Sequence, residues 1–382
     1  MNQMGRIYKI VILPGDGIGR EVIPEVRRVI EDAIVTVDEI ALEIHEFECG
    51  GDYFLKTGRE WSEQAEYFTR TKADAILLGG IGAKGLDGKT VRRPDGNLAG
   101  YSIVVGLRQE LELFANVRPV KLYEGVPTPL ADKKPEDIDM VIVRENTEGL
   151  YYPARGRIKR PDKDFAYDLR LITARGSERV ARFAFEHAKE RTGAPIDNVK
   201  RVTCVDKSNL LAGCQLFRES FDKVGKEFKE ITRDYAYVDA WTLMVLRKPE
   251  YYDVVVTTNA FGDIISDLGG ALQGGLGVSP SGNIGIERAM FEPVHGSAPD
   301  IAGTGKANPI AALLSAAMMF EWLSKKYNDK IPLGCAKRIR ESIEEVLREG
   351  KIRTMDLCLG RWSKVKPSTT KQVTNEIIRK MG

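Results

Sequence analysis

Two carboxylates four residues apart are the first candidates for chemistry. Asp263 and Asp267 follow an apolar run, Asp253–Thr258, in the stretch DVVVTTNAFGDIISD. A helix that begins near Gly262 would project both side chains from one face, where like charges repel unless a cation or a basic group separates them. Oxygen ligands without a histidine favour Mg²⁺ or Mn²⁺ over zinc. The pair predicts a divalent-cation site at the carboxyl end of a strand; the alternative is that both carboxylates only interact with the helix dipole.

A later stretch, FEPVHGSAPDIAGTGKANP at residues 291–309, is rich in small residues. Such a loop lets backbone amides approach a planar or phosphorylated ligand closely. Within it, His295 could stack on a ring or bind a phosphate, and Asp300 could accept hydrogen bonds from a ribose diol. The residues alone leave a second interpretation open, a surface loop of glycine and proline.

Basic and phenolic side chains form a third group of candidates. Arg108 and Arg118 lie in GLRQELELFANVRP, and Arg144 and Tyr151 lie in IVRENTEGLYY. Because an arginine binds a carboxylate through two parallel hydrogen bonds, the arginines predict an acidic ligand. Lys207 directly follows an apolar strand, a position suited to a base. Taken one by one, the default interpretation of these residues is a solvated surface charge.

The elements that must position these residues alternate between strands and helices, which predicts an α/β fold with a largely parallel sheet. Helices are expected at Ser177–Glu190 and Ala212–Val224, and the apolar run Ile310–Phe320 predicts a buried helix. Polar stretches predict a long loop at Lys84–Gly100 and an exposed arm at Pro153–Asp164. The predicted strands are Tyr8–Leu13, Ala75–Leu78, Met140–Val143, Val199–Val205 and Val254–Thr258.

Length and composition narrow the class of protein. The chain has 382 residues, which suits two domains better than one. Its net charge of +2 offers no broad surface for nucleic acid or an anionic membrane. The longest apolar run is shorter than the ~20 residues of a spanning helix, and no signal-peptide pattern opens the sequence. The five cysteines lack metal-ligand spacing and are expected to be reduced thiols. We therefore expect a cytoplasmic protein with a small-molecule substrate and neither a nucleic-acid nor a membrane partner.

The glycine-rich stretch ILPGDGIGREV is close to a dinucleotide-binding fingerprint but differs from it. The pattern G-x-G-x-x-G, read from Gly15, needs a glycine at position 20, where Arg20 stands. Asp38 and Glu39 lie at about the right distance to bind a ribose, although acidic residues are common. This stretch alone does not establish a Rossmann domain.

Together, the motifs resemble those of the metal-dependent β-decarboxylating dehydrogenases, the isocitrate/isopropylmalate dehydrogenase family. The resemblance covers nearly the whole chain and implies a two-domain isopropylmalate/isocitrate dehydrogenase-like α/β fold around a cleft, not a Rossmann fold. It implies a cofactor-binding domain of residues 1–113 and 274–382. The central domain, residues 114–273, would carry the metal site and a dimerisation arm at about 152–175. The motifs follow the family's order: PGDGIG, LRQELELFANVRP, VRENTEGLY, YVDA, NAFGDIISDLGGALQGGLGVSPSGNIG and FEPVHGSAPDIAGTGKANP.

The resemblance also implies a role for each candidate residue. Tyr151 resembles the acid that protonates an enol, and Lys207 resembles the residue of the base chemistry. The metal ligands would be Asp263 and Asp267 with Asp239, which a homodimer would contribute, together with Lys207, from its second subunit. The substrate-binding residues would be Ser102, Val104, Val105, Arg108, Arg118 and Arg144. The nucleotide-binding residues would be His295, Gly296, Ser297, Ala298, Asp300, Ile301 and Asn308.

The reaction implied by the resemblance is the oxidation of a 3-substituted malate to a 2-keto acid, followed by loss of the β-carboxylate. The implied cofactors are a nicotinamide dinucleotide and Mg²⁺ or Mn²⁺. Asp300 favours NAD, because a carboxylate there would bind both ribose hydroxyls and repel a 2′-phosphate.

The segment YSIVVGLR bears on the substrate. Val104 and Val105 would form an apolar wall, which favours 3-isopropylmalate and a place in leucine biosynthesis. Ser102 is kept from the isocitrate pattern, and Arg92 and Arg93 in the long loop could reach a γ-carboxylate. Isocitrate is therefore the alternative substrate, followed by D-malate and tartrate. A non-catalytic regulatory subunit is a remote alternative, which the complete set of catalytic residue types disfavours.

Overall fold

The computed structural model describes residues 6–37, 40–160 and 163–382. Asp38 and Glu39, considered above as ribose ligands, lie outside the described residues. The chain divides into two compact units. Unit 1 comprises the residues up to 111, residues 122–131 and the residues from 270 onward; unit 2 comprises residues 112–121 and 132–269. In the described ranges no helix is long and apolar enough to cross a membrane.

Strands and helices alternate along the chain. A π-helical turn, Ser102–Gly106, directly precedes the fourth helix. The described strands are β1 (Ile7–Leu13), β2 (Ala41–Glu46), β3 (Ala75–Leu78), β4 (Ala115–Lys121), β5 (Asp139–Glu145), β6 (Arg155–Ile158), β7 (Phe165–Asp168), β8 (Arg201–Asp206), β9 (Thr232–Tyr237), β10 (Val254–Thr257), β11 (Pro280–Ile284) and β12 (Ala289–Pro293). The described helices are α1 (Gly19–Thr36), α2 (Gly51–Thr57), α3 (Glu63–Thr71), α4 (Leu107–Glu110), α5 (Ala174–Glu190), α6 (Ala212–Gly225), α7 (Val238–Arg247), α8 (Asn259–Leu272), α9 (Ile310–Tyr327), α10 (Ile331–Glu349) and α11 (Thr370–Met381).

In unit 1 the strands lie in the order β2-β1-β3-β12-β11. They are parallel except for β11, which runs antiparallel to β12. The predicted buried helix is confirmed as α9, in which every residue from Ile310 to Phe320 is buried. A helix that is apolar on all sides is typical of a domain core, and α9 packs against β12 and α10.

In unit 2 the strands lie in the order β4-β5-β10-β8-β9. They are parallel except for β4, which runs antiparallel to β5 and pairs Asn116 with Arg144. The helix α5 covers β5 and β10 and also contacts α6. Because the carboxyl ends of parallel strands lie at one edge of a sheet, β5, β8 and β10 all deliver the residues that follow them to the same edge.

The predicted strands are all present, and their ends differ from the prediction by no more than two residues. The predicted start of a helix near Gly262 is wrong, because α8 begins at Asn259. The Thr258 carbonyl already accepts the Gly262 amide at 2.8 Å, so Gly262 lies inside the first turn. A Cβ at Gly262 would lie 2.6 Å from Arg144 Cβ, and the glycine therefore lets α8 pass closely over that arginine.

The expected loop and arm both lie at the surface. Residues 84–100 form successive turns with isolated bridges between Lys84 and Thr90 and between Arg92 and Leu98. In the arm region, β6 and β7 form an antiparallel ribbon whose residues are largely exposed. An isolated two-stranded ribbon is marginally stable on its own.

All five cysteines are buried and free of disulfides. Burial raises the pKa of the Cys49 thiol to about 12 and that of Cys335 to about 11. The pKa of Cys204 is also raised, by burial and by the adjacent Asp206 carboxylate. The thiols therefore belong to the core rather than to a reactive site.

The glycine turn after β1 is held by a buried carboxylate. Asp16 is completely buried, and its two oxygens accept the amides of Gly51, Gly82 and Asp52 at 2.8, 2.8 and 2.9 Å. Gly17 has a φ of +54°, and a Cβ there would lie 2.1 Å from the Ser297 carbonyl oxygen. The turn thus needs its glycine for close backbone packing.

Candidate functional site

Unit 2 brings two buried arginines onto the predicted carboxylate pair. Arg144 on β5 is 2 % exposed and donates from Nη1 to Asp263 Oδ1 at 2.5 Å. Arg118 on β4 donates to Asp263 Oδ1 at 3.5 Å and to Asp267 Oδ1 at 3.4 Å. The carboxylates are more open than the arginines, since the Asp263 and Asp267 side chains are 37 % and 59 % exposed. This arrangement therefore presents mainly its carboxylates to solvent.

Neutral side chains fix the two arginines. Arg144 donates from Nε and Nη2 to the amide oxygen of Asn259, at 3.0 and 2.8 Å. Arg118 donates to Asn116 Oδ1 at 2.7 Å and to Ser266 Oγ at 2.6 Å. These partners carry no charge, so the carboxylates of Asp263 and Asp267 meet the positive charge of the two guanidinium groups.

Tyr151 joins the same group. Its hydroxyl donates to Asp263 Oδ2 at 3.0 Å, and the ring centre lies 5.7 Å from the Arg144 guanidinium carbon. Partial burial raises the pKa of Tyr151, and the charge and hydrogen bond of Asp263 raise it further. The phenol is therefore a protonated donor at neutral pH. We call Arg118, Arg144, Tyr151, Asp263 and Asp267 the Asp263 cluster.

The donor set of the Asp263 cluster suits a hard divalent cation. Burial raises the pKa of Asp267, and the like charge of Asp263 raises it too, against the opposing effect of Arg118. A cation between the two carboxylates would relieve that repulsion. Within the described residues no group of three or more His, Cys, Asp or Glu is placed to hold a metal. Mg²⁺ is commonly bound by one or two carboxylates and keeps several waters, so the pair is compatible with it.

Lys207 and Asp239 form a separate pair. Lys207 follows β8, Asp239 lies in the first turn of α7, and the Lys207 ammonium donates to Asp239 Oδ1 at 2.5 Å. This hydrogen bond is the main reason that the pKa of the Asp239 carboxyl is lowered. Their side chains are 23 % and 66 % exposed, so the pair lies at the surface of unit 2.

In unit 1 the predicted substrate wall lies on the π-helical turn. Ile103 and Leu107 are fully buried, whereas Val104 and Val105 are half-buried and retain exposed surface. Arg108, on α4, donates from Nη2 to Glu292 at 2.8 Å. Its Nε is buried and has no hydrogen-bond partner among the described residues. That atom is a donor without an acceptor, as expected of a group that binds a ligand.

The loop before α9 has one comparable atom. His295 shares a hydrogen bond of 3.0 Å between Nδ1 and the Gly296 carbonyl, while its buried Nε2 has no partner in the described part of the chain. Burial lowers the pKa of His295, so the ring is neutral at pH 7. An uncharged imidazole with an unused nitrogen is suited to a neutral planar ring such as adenine.

The other residues predicted to bind the nucleotide differ in how far their polar groups are already used in contacts within the chain. Asp300 is 86 % exposed and pairs with Lys84 at 2.9 Å. The side chains of Ser297 and Asn308 make structural hydrogen bonds instead, to Gly82 O at 2.5 Å and Asp356 at 2.9 Å. The loop's backbone is tightly turned, and its remaining candidates are Gly296 (exposed), Ala298 (φ +38°) and Ile301 (40 % exposed).

Sequence reasoning missed several residues that position the site. Asn259 holds Arg144 and also donates to the Glu148 carbonyl at 2.7 Å, and Glu292 holds Arg108. Asn259 lies in the motif NAFGDIISD and Glu292 lies in FEPVHGSAPD. The predicted site residues beside them in these motifs were the one feature of the sequence that could have pointed to both. Nothing in the sequence marked Glu60, a buried carboxylate that bonds to Ser102.

Known proteins resemble this chain over most of its length. A profile of the family described as isocitrate/isopropylmalate dehydrogenase matches residues 9–377. A 3-isopropylmalate dehydrogenase of Bifidobacterium longum is 41 % identical over 352 residues, covering 91 % of this chain and 94 % of the relative. A 3-isopropylmalate/3-methylmalate dehydrogenase of Methanocaldococcus jannaschii is 39 % identical, with 92 % and 94 % covered. The crystal structure of isocitrate dehydrogenase from Methylococcus capsulatus superimposes with a TM-score of 0.81 at 34 % identity, covering 98 % and 99 % of the two chains.

Proposed function

Because the chain belongs to the isocitrate/isopropylmalate dehydrogenase family, we propose that it catalyses the NAD-dependent oxidative decarboxylation of 3-isopropylmalate. The enzyme would use Mg²⁺ or Mn²⁺ and act as a cytoplasmic homodimer in leucine biosynthesis. The observation that carries the proposal is the Asp263 cluster, in which a carboxylate pair, two arginines and a protonated phenol are in direct contact.

The arginines are proposed to hold the carboxylates of the substrate. Arg118 and Arg144 are oriented by neutral partners, so a substrate carboxylate would compete with Asp263 and Asp267 for them while the orienting contacts stay. Arg108, whose buried Nε lacks a partner among the described residues, is assigned to the same substrate. Charge-assisted hydrogen bonds of this kind are roughly twice as strong as neutral ones.

Asp263 and Asp267 are proposed to hold the divalent cation, together with Asp239 of the partner subunit. The like charges of the pair and the raised pKa of Asp267 fit such a ligand. A cation held by these carboxylates would supply a Lewis acid for the C2 oxygen of the substrate, and a bound nicotinamide would supply the hydride acceptor.

Two residues are proposed to move protons. Lys207 of the partner subunit, as the neutral amine, would take the proton of the C2 hydroxyl, directly or through the partner's Asp239, as the 2-keto acid forms. The bond from C3 to the β-carboxylate then breaks, CO₂ leaves, and an enolate remains. Tyr151, whose pKa is raised, would donate its proton to C3 of that enolate.

NAD is proposed to bind at the loop that carries His295 and Asp300. The unused Nε2 of the neutral His295 fits an adenine ring, and the exposed Asp300 carboxylate fits the two ribose hydroxyls. The same negative charge would repel a 2′-phosphate.

The apolar character of the π-helical turn supports an alkyl substituent over a third carboxylate. Val104 and Val105 keep exposed apolar surface. A γ-carboxylate would have to compete for the two arginines of the long loop, since Arg92 donates to the Gly96 carbonyl at 2.8 Å and Arg93 pairs with Asp95 at 2.9 Å. Isocitrate is the second candidate substrate, because the similar crystal structure described above is that of an isocitrate dehydrogenase.

The decisive experiment is NADH formation by the purified chain with Mg²⁺ and NAD. 3-Isopropylmalate, isocitrate, homoisocitrate, D-malate and tartrate are compared at matched concentrations, with EDTA and NADP as controls. A preference in kcat/KM for 3-isopropylmalate that EDTA abolishes is expected. A preference for isocitrate would refute the substrate assignment, and no turnover of any of these acids would revive the non-catalytic regulatory alternative.

A further inference from the structure

Glu60 is a buried carboxylate on a fixed backbone, outside the residues assigned so far. It lies between α2 and α3, and only 6 % of it is exposed. The Glu60 carbonyl accepts the Gly50 amide at 2.8 Å, and the next residue, Trp61, forms a bridge with Cys49. The side chain therefore leaves a backbone that is held on both sides.

The Glu60 carboxylate binds the start of the π-helical turn. One oxygen accepts the Gly100 amide at 2.6 Å, and the other accepts both the amide of Ser102, at 3.1 Å, and its hydroxyl. Arg93 lies 3.4 Å away and compensates the charge. A buried carboxylate with charge-assisted bonds to backbone donors fixes its partners firmly.

These bonds set the geometry of the turn. Gly100 has a φ of +101°, and a Cβ there would lie 2.2 Å from Ile81 Cγ2, so the chain enters the turn in one conformation. The Leu107 amide then donates to the Ser102 carbonyl, five residues earlier. Single π-helical turns are rare and frequently occur at functional sites. Here the turn buries Ile103 and leaves Val104 and Val105 partly exposed.

We propose that Glu60 is a positioning residue for substrate specificity. By holding Gly100 and Ser102, it fixes the π-helical turn and therefore the direction in which Val104 and Val105 meet an alkyl substituent. Because the Ser102 hydroxyl donates to Glu60, its proton is not available to a third carboxylate of a substrate. The inference rests on the proposed function and concerns the part of the substrate that distinguishes 3-isopropylmalate from malate.

The test is E60Q in the full-length enzyme, because glutamine keeps the size of the side chain but loses the charge and one acceptor. The kcat/KM values for 3-isopropylmalate and D-malate are compared, since D-malate lacks the alkyl group. The ratio between them is expected to fall about tenfold, because a misplaced apolar contact changes discrimination by roughly 10–200-fold. D-malate turnover should change by less than about threefold. E63Q, at a carboxylate that is 84 % exposed, is the matched control and should leave the ratio unchanged.

Other outcomes overturn the inference. An equal loss for both substrates together with a lower Tm would show that Glu60 only stabilises the fold. If E60Q does not fold, S102A removes the hydroxyl alone and keeps the backbone donors; an unchanged ratio in S102A contradicts the proposal. A wild-type enzyme without a preference for 3-isopropylmalate refutes the proposed function and this inference with it. A wild-type preference for 3-isopropylmalate whose ratio E60Q leaves unchanged refutes the inference alone.

Discussion

Asp16 and Glu60 of unit 1 are held in a different way from Asp263 of unit 2. In unit 1, Asp16 and Glu60 are buried and accept hydrogen bonds mainly from backbone amides. In unit 2, Asp263 is 37 % exposed in its side chain and is bound by Arg118, Arg144 and Tyr151. Backbone amides are fixed by the fold, whereas side chains can exchange one partner for another. The difference separates carboxylates that shape the chain from carboxylates that can bind a ligand.

Buried and half-exposed carboxylates also differ in how much stability is lost when a hydrogen-bond partner is removed. A buried acceptor that loses its donors, or a donor that loses its acceptor, costs about 1–3 kcal/mol of stability. A half-exposed carboxylate loses less, because water replaces the missing partner. We therefore expect substitutions at the Asp263 cluster to affect the reaction, and substitutions at Asp16 to affect the free energy of unfolding.

The largest expected effect is on turnover. Y151F should lower kcat by roughly 10²–10⁴-fold, because it removes the acid that we propose protonates the enolate. The Tm should change little, since Tyr151 is 47 % exposed and the ring is kept. Steady-state kinetics and thermal unfolding measure the two quantities. Y152F, at the adjacent and comparably exposed tyrosine, should keep wild-type kcat; a similar loss in both variants would contradict the assignment.

The second effect is on cation binding. D263N should weaken Mg²⁺ or Mn²⁺ binding by about 100-fold or more, since even residues that only support a metal ligand contribute 10–100-fold. Its free energy of unfolding should change by about 1 kcal/mol or less, because asparagine can still accept from Arg144. Isothermal titration calorimetry with the metal alone tests this, with exposed Asp132 replaced in D132N as the control. Unchanged affinity would remove Asp263 from the proposed metal site.

The third effect is on stability. D16N should lower the free energy of unfolding by about 3 kcal/mol, because an amide cannot accept all three backbone hydrogen bonds of the carboxylate. Chemical denaturation measures the change, with D87N at an exposed carboxylate as the control. If D16N costs no more stability than D263N, the proposed contrast between the units is wrong.

The fourth effect depends on pH. Burial lowers the pKa of His295 in the folded state, so the unfolded chain takes up its proton first on acidification. Stability should therefore fall as the pH drops below about 6.5, the pKa of an unperturbed histidine, by up to about 1.4 kcal/mol for each unit of pKa difference. H295N should make this fall shallower. H187N, which removes one of the two other histidines, is the control, and an equally shallow curve in both variants would contradict the assignment to His295.

The smallest effect is expected at the exposed pair of Lys84 and Asp300. Exposed ion pairs contribute about 0–1 kcal/mol, so K84A should leave stability nearly unchanged. Removing the positive charge should raise the preference for NADH over NADPH in a fluorescence binding assay, by about fivefold or less. K89A, at a lysine that is 85 % exposed, is the control. A lower preference in K84A would show that Asp300 does not face the 2′ position.

Local pattern was enough to predict five of the twelve described strands and to place the carboxylate pair on one helix. The apolar runs predicted the bounds of β3 and β10 to within one residue. The spacing of Asp263 and Asp267 predicted that both lie on one helix, which is α8. The pairing of Arg144 with Asn259 spans 115 residues, and that of Glu60 with Gly100 spans 40. Such contacts depend on how the strands and loops are arranged in space, and one sequence contains no periodic signal for them. The start of α8 was missed because a polar turn and the first turn of a helix use the same residue types.

The buried cysteines give each unit its own chemical reporter. Only a thiolate reacts readily with an alkylating reagent, and the raised pKa values of Cys49, Cys204 and Cys335 leave almost none of these thiols ionised at neutral pH in the folded chain. Alkylation must therefore wait for local or global opening. Cys204 belongs to unit 2, and Cys49 and Cys335 belong to unit 1. Peptide-resolved alkylation would thus measure the rate at which each unit opens, without any introduced probe.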